Sequence, residues 1–221
     1  MHPSVQSQFR AFNEPFEGSI PFMYADIKGL ITVGVGNLID PVTLATALPF
    51  RFKNKPGIAA PGTLASKDQI TAEWQKLKND PTLAKRGHTA CEPITDLELN
   101  DSAIDALIAQ RLAGNESFLK KQSSFKDFDT WPADAQMALL SMAWAMGPGA
   151  FSGFPHFSAA CQQKDFKTAA AQSRMNEAGN PGLVPRNKAN FLLFSNAAVV
   201  AAPGSGLDPA TLFYPKDLTK P

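Results

Sequence analysis

The sequence predicts an α+β protein dominated by helix, and three observations carry that expectation. Residues 22–26 and 30–38 are short, apolar-rich runs flanking Ile27-Lys28-Gly29, the pattern of strand, turn and strand. Several later segments repeat apolar residues at helical spacing. One of them, residues 133–146, is apolar on almost every side, as only a buried helix is. Strands at one end of a chain and helices over the rest give an α+β arrangement.

Each element has a local cause. Val5, Phe9 and Phe12 stand at helical spacing, and Pro15, which lacks a backbone donor, should kink, restart or end that helix. The hairpin follows. Asp40 as N-cap, with Pro41 at the first helical position, predicts a short helix to about Ala47. Residues 49–65 are rich in Pro and Gly and read as loop; Arg51, Lys53 and Lys55 there are expected to be solvated, or else to meet an acidic polymer. Ser66 and Gln69 have capping-box spacing, ahead of a helix with Ile70, Trp74 and Leu77 on one face. Ile104, Leu107, Ile108 and Leu112 mark the next helix.

Thr130-Trp131-Pro132 opens the apolar helix, and Gly147-Pro148 stops it. Two shorter helices, near 152–163 and 165–175, precede a last one over 185–200 and an irregular tail over 203–221. Trp74 and Trp144 read as core, while the place of Trp131, beside a helix start, stays open.

Composition excludes several classes. The chain has 221 residues, a net charge of +1 and 44% hydrophobic residues, which is a globular balance. A near-neutral chain lacks the basic surplus of a nucleic-acid binder or of a protein drawn to anionic lipid. Phe outnumbers Trp and Tyr by 16 to 3 and 2, which favours core packing over base stacking. His2, His88 and His156 are scattered, so no metal site or cofactor is expected, and Cys91 and Cys161 read as buried hydrophobes, with a single disulfide between them as the alternative. No apolar run is long enough to insert in a membrane, and no secretory signal opens the chain. Ser141 lies mid-helix with no histidine at hand, which argues against a serine hydrolase.

The chemistry concentrates between Glu17 and Asn37. Asp26 follows Glu17 by nine residues, and Thr32 follows Asp26 by six. A hairpin folded against a helix end brings all three around one groove. Two carboxylates facing across a cleft are what glycosidic-bond hydrolysis needs, one holding a proton and one charged. The plain alternative is that Asp26 serves the turn and Glu17 is a surface acid. Gly34 and Gly36, read as alternating along a strand, are costly there unless something approaches closely.

Glu17, Gly18, Tyr24, Asp26, Gly29, Thr32, Gly34 and Gly36 fall in register within a 20-residue window. This pattern resembles the signature of the phage-type lysozymes, the endolysins of glycoside hydrolase family 24. The resemblance lapses between about 40 and 125. It returns faintly in QMALLSMAWAMGPGAFSGF and again in GLVPRNKANFLLF. The stretch AGNPGLVPRN is similar to lysozyme-like domains encoded with type VI secretion systems.

The resemblance implies a two-lobe fold with a small β-hairpin lobe over 17–38 and a larger helical lobe over 101–202. It implies a muramidase with Glu17 as catalytic acid, Asp26 as the second carboxylate and Thr32 completing the triad. It implies substrate contacts from Tyr24, Gly34 and Asn37, and an arginine, Arg186, closing from the helical lobe onto the acid. An arginine there favours the carboxylate form, so proton donation needs Glu17 in a cleft and not fully exposed. The chain departs from the pattern at Asn37, at Asn187 and at Ala145, where members carry histidine, a second arginine and a polar groove residue.

Compact members manage with roughly 150 residues, so the surplus is read as an enlarged inter-lobe connection over 40–100 in a single catalytic domain. The expected partner is the glycan strand of peptidoglycan in the bacterial periplasm or wall. Delivery would fall to a secretion system or a holin, the protein would be monomeric, and an immunity protein could accompany it. A non-catalytic glycan binder and a lytic transglycosylase or chitinase-like glycosidase remain the alternatives.

Overall fold

The computed structural model describes residues 1–220. Along the chain run α1 (Pro3–Glu17), β1 (Ile20–Ala25), β2 (Ile31–Gly34), β3 (Asn37–Leu38), α2 (Val42–Ala45) and β4 (Arg51–Phe52). Next come α3 (Lys67–Lys78), α4 (Leu83–Arg86), α5 (His88–Cys91), β5 (Leu97–Glu98) and α6 (Asp101–Lys120). The remainder is α7 (Ala133–Met146), α8 (Pro155–Gln162), α9 (Phe166–Gln172) and α10 (Leu183–Val200), with short 3-10 turns between. The protein is thus mostly helical with small antiparallel sheets, an α+β composition. No described helix is long and apolar enough to cross a membrane. The described residues form two compact units, Met1–Phe16 with 109–220 as one and Glu17–Ile108 as the other.

The helical unit is organised around α7. Its residues from Ala133 to Trp144 are all buried, as a helix without a polar face must be. Helix α10 packs on α7 and on α9. Trp131 is fully buried, which resolves its place as core: its ring meets Phe125, Phe128 and Phe166 at 5.4–6.2 Å between centroids. Phe125, Phe151, Phe157 and Phe194 extend the cluster, so the surplus of phenylalanine is spent on ring-to-ring packing that needs no hydrogen-bond partner. Ser141 is also fully buried and inaccessible as a nucleophile.

The irregular tail is held by two buried polar side chains. Asp134 accepts hydrogen bonds from Phe213 N, Tyr214 N and Asn196 Nδ2. Asn196 donates to Lys216 O and accepts from Leu218 N. Burial raises the Asp134 carboxyl above its ordinary range, and the donors around it pull it back. Cys161 in this unit and Cys91 in the other are both free, buried thiols.

The mixed unit departs from expectation in three places. The return strand read over 30–38 is two strands, β2 and β3, with a turn at Val35-Gly36. Gly34 and Gly36 therefore do not alternate along one strand; both have positive φ, +65° and +70°, and serve the reversal. Asp40 caps no helix. The residue before α2 is Pro41, and the Asp40 carboxylate instead accepts from Ile31 N and Lys78 Nζ, tying β2 to the end of α3.

The third departure is the basic cluster. Residues 51–52 form β4, which pairs antiparallel with β5. Lys53 is buried and donates to Glu92 O and Thr95 Oγ1, and Lys55 donates to Thr95 O and pairs with Asp96. A loop without its own core is thus fastened by its lysines to the 92–96 segment. The capping box at Ser66 and Gln69 forms as the spacing required, and Trp74 is half-buried with its indole N–H on Ile39 O.

On the buried face of α3, Glu73 is 7% exposed and accepts from the backbone N–H groups of Asp96 and Leu97. Burial pushes its carboxyl up to about 7, against the pull of those donors. A raised folded-state value means that the stability gained is full below the ordinary carboxylate range and is lost as pH rises through 7. Relative to Glu73→Gln, which does not titrate there, the wild-type chain should lose no more than about 3 kcal/mol between pH 4.5 and 8. Urea denaturation of both proteins across that range checks the sign and the size.

Candidate active site

The site is built in the mixed unit from the end of α1 and the three-stranded sheet. Glu17 is the last residue of α1, and Gly18 follows at φ +73°, the left-handed conformation that ends a helix. Pro15 sits in the last turn without stopping it. Glu17 is half-buried. Its Oε2 lies 3.6 Å from where a Cβ on Gly36 would sit, so the β2–β3 turn comes up against the carboxylate.

The sheet supplies the other groups. Strand β1 pairs antiparallel with β2, with Tyr24 opposite Thr32, and β2 pairs with β3, with Thr32 opposite Leu38. Residues directly opposite share a face, so Tyr24 and Thr32 stand side by side. Asp26 begins the turn just past β1. Its Oδ1 accepts from Lys28 N at 2.8 Å and Leu30 N at 2.9 Å, while its backbone closes the turn with Leu30 and Gly29. Turn chemistry is therefore present, and it uses one carboxylate oxygen: Oδ2 has no hydrogen-bond partner among the described residues.

Tyr24 records how these groups are assembled. Its phenol is pushed up to about 12 by burial, then by the negative charges of Glu17 and Asp26. Two carboxylates on separate elements thus act on one hydroxyl through their charge. That hydroxyl stays protonated across the physiological range and can act as a hydrogen-bond donor.

The remaining expected residues lie on the sheet and in the helical unit. Thr32 is buried and donates to Leu30 O at 3.4 Å; it shares a sheet face with Tyr24 and makes no hydrogen bond to Asp26. Asn37 pairs with Val33, one position from the Thr32–Leu38 pair, and so lies on the opposite face of the ladder. It is buried, its Oδ1 has no hydrogen-bond partner among the described residues, and that oxygen is 3.4 Å from a Cβ on Gly34. Gly34 thus leaves room for Asn37.

Arg186 belongs to the helical unit. It is 1% exposed, donates to Asn13 Oδ1 at 2.8 Å and to Ser141 O and Oγ at 3.3 Å, and lies over the Phe16 ring. Asn187 braces the loop before α10 through Met175 and Glu177.

The sequence reading missed His88. Helix α5 packs on β1 and brings the His88 ring edge-on to Tyr24, 6.1 Å between centroids. Nothing in the local sequence around His88 signals this, because the contact depends on how the 40–100 segment folds back. Among the described residues no group of His, Cys, Asp and Glu could hold a metal ion. Neither the known family models nor the curated proteins compared with the chain match it.

Because Gly36 holds the left-handed conformation beside Glu17, Gly36→Ala should cost about 1–2 kcal/mol from backbone strain, with the Cβ itself accommodated. Denaturant titration measures this, and Gly36→Asn, which tolerates that conformation better, should lose less.

Proposed function

We propose that the chain is a peptidoglycan hydrolase, a muramidase that cleaves the β-1,4 bond between N-acetylmuramic acid and N-acetylglucosamine. The observation that carries this reading is the placement of Glu17, against the β2–β3 turn, and of Asp26, in the β1–β2 turn, around the sheet that holds Tyr24, where both charges act on its phenol. Glu17 donates a proton to the bridging oxygen as the bond breaks. Asp26, oriented through Oδ1 by two backbone N–H groups, uses Oδ2 to orient or deprotonate the attacking water. Tyr24 remains a hydroxyl and donates to substrate or water between the two acids. With a gap of about 6.5–9.5 Å between the carboxyls the attacking water fits, and the product is inverted at the anomeric carbon.

The resemblance of the Glu17–Gly36 segment to phage-type lysozymes supports the same chemistry and the two-lobe lysozyme-like fold. Arg186, on that resemblance, is the arginine that serves the acid from the helical lobe. The protein then acts on the bacterial wall as an injected antibacterial effector or as an endolysin.

Digestion of purified sacculi, with mass spectrometry of the products, tests this. New reducing ends are expected, reduced by about 10²–10⁴-fold in Glu17→Gln, the usual worth of a positioned proton donor. Anhydro-sugar ends would replace hydrolysis by lytic transglycosylation, and binding without release would make the chain a glycan-binding module.

A further inference from the structure

Next to the carboxylate cluster, the first half of β1 and the segments around Lys53 and Glu92 enclose a pocket of about 620 Å³. Phe22, Lys53, Lys55, His88, Glu92 and Glu98 line it. His88 also meets the Tyr24 ring, so one wall of the pocket touches the residue on whose phenol the charges of Glu17 and Asp26 act. Apart from β1, these side chains come from the 40–100 segment, where the resemblance to phage-type lysozymes lapses.

Lys53, Glu92 and Glu98 in the pocket form no close ion pair with one another, although their charges act across it. Lys53 is 8% exposed, and no carboxylate lies within ion-pairing distance of it among the described residues. Its amine donates to two neutral oxygens, Glu92 O at 3.1 Å and Thr95 Oγ1 at 2.6 Å, and sits 4.2 Å from the centre of the Phe22 ring. An ammonium carries three N–H groups, so one remains beyond those two bonds. Lys55, in contrast, is paired with Asp96. The carboxylates of Glu92 and Glu98 form neither a hydrogen bond nor an ion pair among the described residues. Lys53 and the two carboxylates thus stand around one cavity outside contact distance of each other, their charges acting on one another only at longer range among the described residues. A ligand carrying both a carboxylate and an ammonium group complements both sets at once.

We propose that this pocket binds the zwitterionic end of the peptide arm carried by the wall glycan, its carboxylate on Lys53 and its ammonium between Glu92 and Glu98. The proposal rests on the muramidase reading for the identity of the polymer. The shared wall at His88 and Tyr24 then lets one substrate place its glycan at the acids and its peptide in the pocket. The enlarged 40–100 segment becomes a specificity element that selects peptide-bearing strands.

The test uses the whole chain and the synthetic stem tetrapeptide L-Ala-γ-D-Glu-meso-diaminopimelate-D-Ala, which has no glycosidic bond. Calorimetry, with chemical shifts of His88 as the local probe, should show saturable binding. The affinity should fall at least tenfold in a Glu92→Gln, Glu98→Gln double variant, and as much when the free amine of the diamino acid is acetylated. The acetylated probe keeps the test sound should any variant fold poorly. Absence of saturable binding, or binding indifferent to both changes, overturns the proposal. Free meso-diaminopimelate binding as well as the tetrapeptide overturns it in favour of a free amino-acid site. Sacculus digestion separates the two claims: digestion without tetrapeptide binding removes the pocket alone, and tetrapeptide binding without digestion removes the muramidase reading alone.

Discussion

Two carboxylate charges acting on one half-buried phenol form an arrangement that a protein does not reach by default, since both oppose ionisation of the hydroxyl. Around Tyr24 it is reached by backbone. Gly18 ends α1 with Glu17 as its last residue, the Asp26 turn fixes the second carboxylate through two N–H groups, and Gly36 brings the β2–β3 turn against the first. Each of these devices is a feature of the backbone: a helix end, an Asx-type turn and a tight reversal.

The 40–100 segment solves a different problem. It has short strands and short helices, too little to bury a core alone. Lys53 and Lys55 anchor the 51–55 segment to backbone and hydroxyl oxygens of residues 92–95, Glu73 receives the backbone of Asp96 and Leu97, and Asp40 joins β2 to α3. Polar side chains bonded to backbone replace the packing that a longer element would supply. The same fastening delivers His88 to Tyr24 and leaves the mixed-charge pocket beside it.

Legibility in the sequence followed the range of the forces. Helix α7 was readable because an all-apolar helix has only one stable environment, and α3 because its capping box lies within four residues. The break between β2 and β3 was not, since Gly34 and Gly36 read equally well as strand positions or as turn positions until the register is known. Asp40 looked like a cap for the residue after it, yet its partner is Lys78, far along the chain. The basic cluster looked solvated because its acceptors, carbonyls near residue 95, carry no sequence signature. In the site, Glu17, Tyr24, Asp26 and Thr32 were marked by motif spacing. The face on which Asn37 falls, and the approach of His88, depended on pairing and on tertiary folding.

The account turns on two negative charges acting on one hydroxyl, and the chain offers a clean probe, for it has only two tyrosines, Tyr24 and Tyr214. Carbon-13 labelling of the tyrosine ring, with Tyr214→Phe for assignment, lets the Tyr24 phenol be titrated alone. The account predicts titration near 12 in the parent chain, and a clear fall in both Glu17→Gln and Asp26→Asn. A Tyr24 phenol that titrates near 10, or that responds to neither substitution, would contradict it.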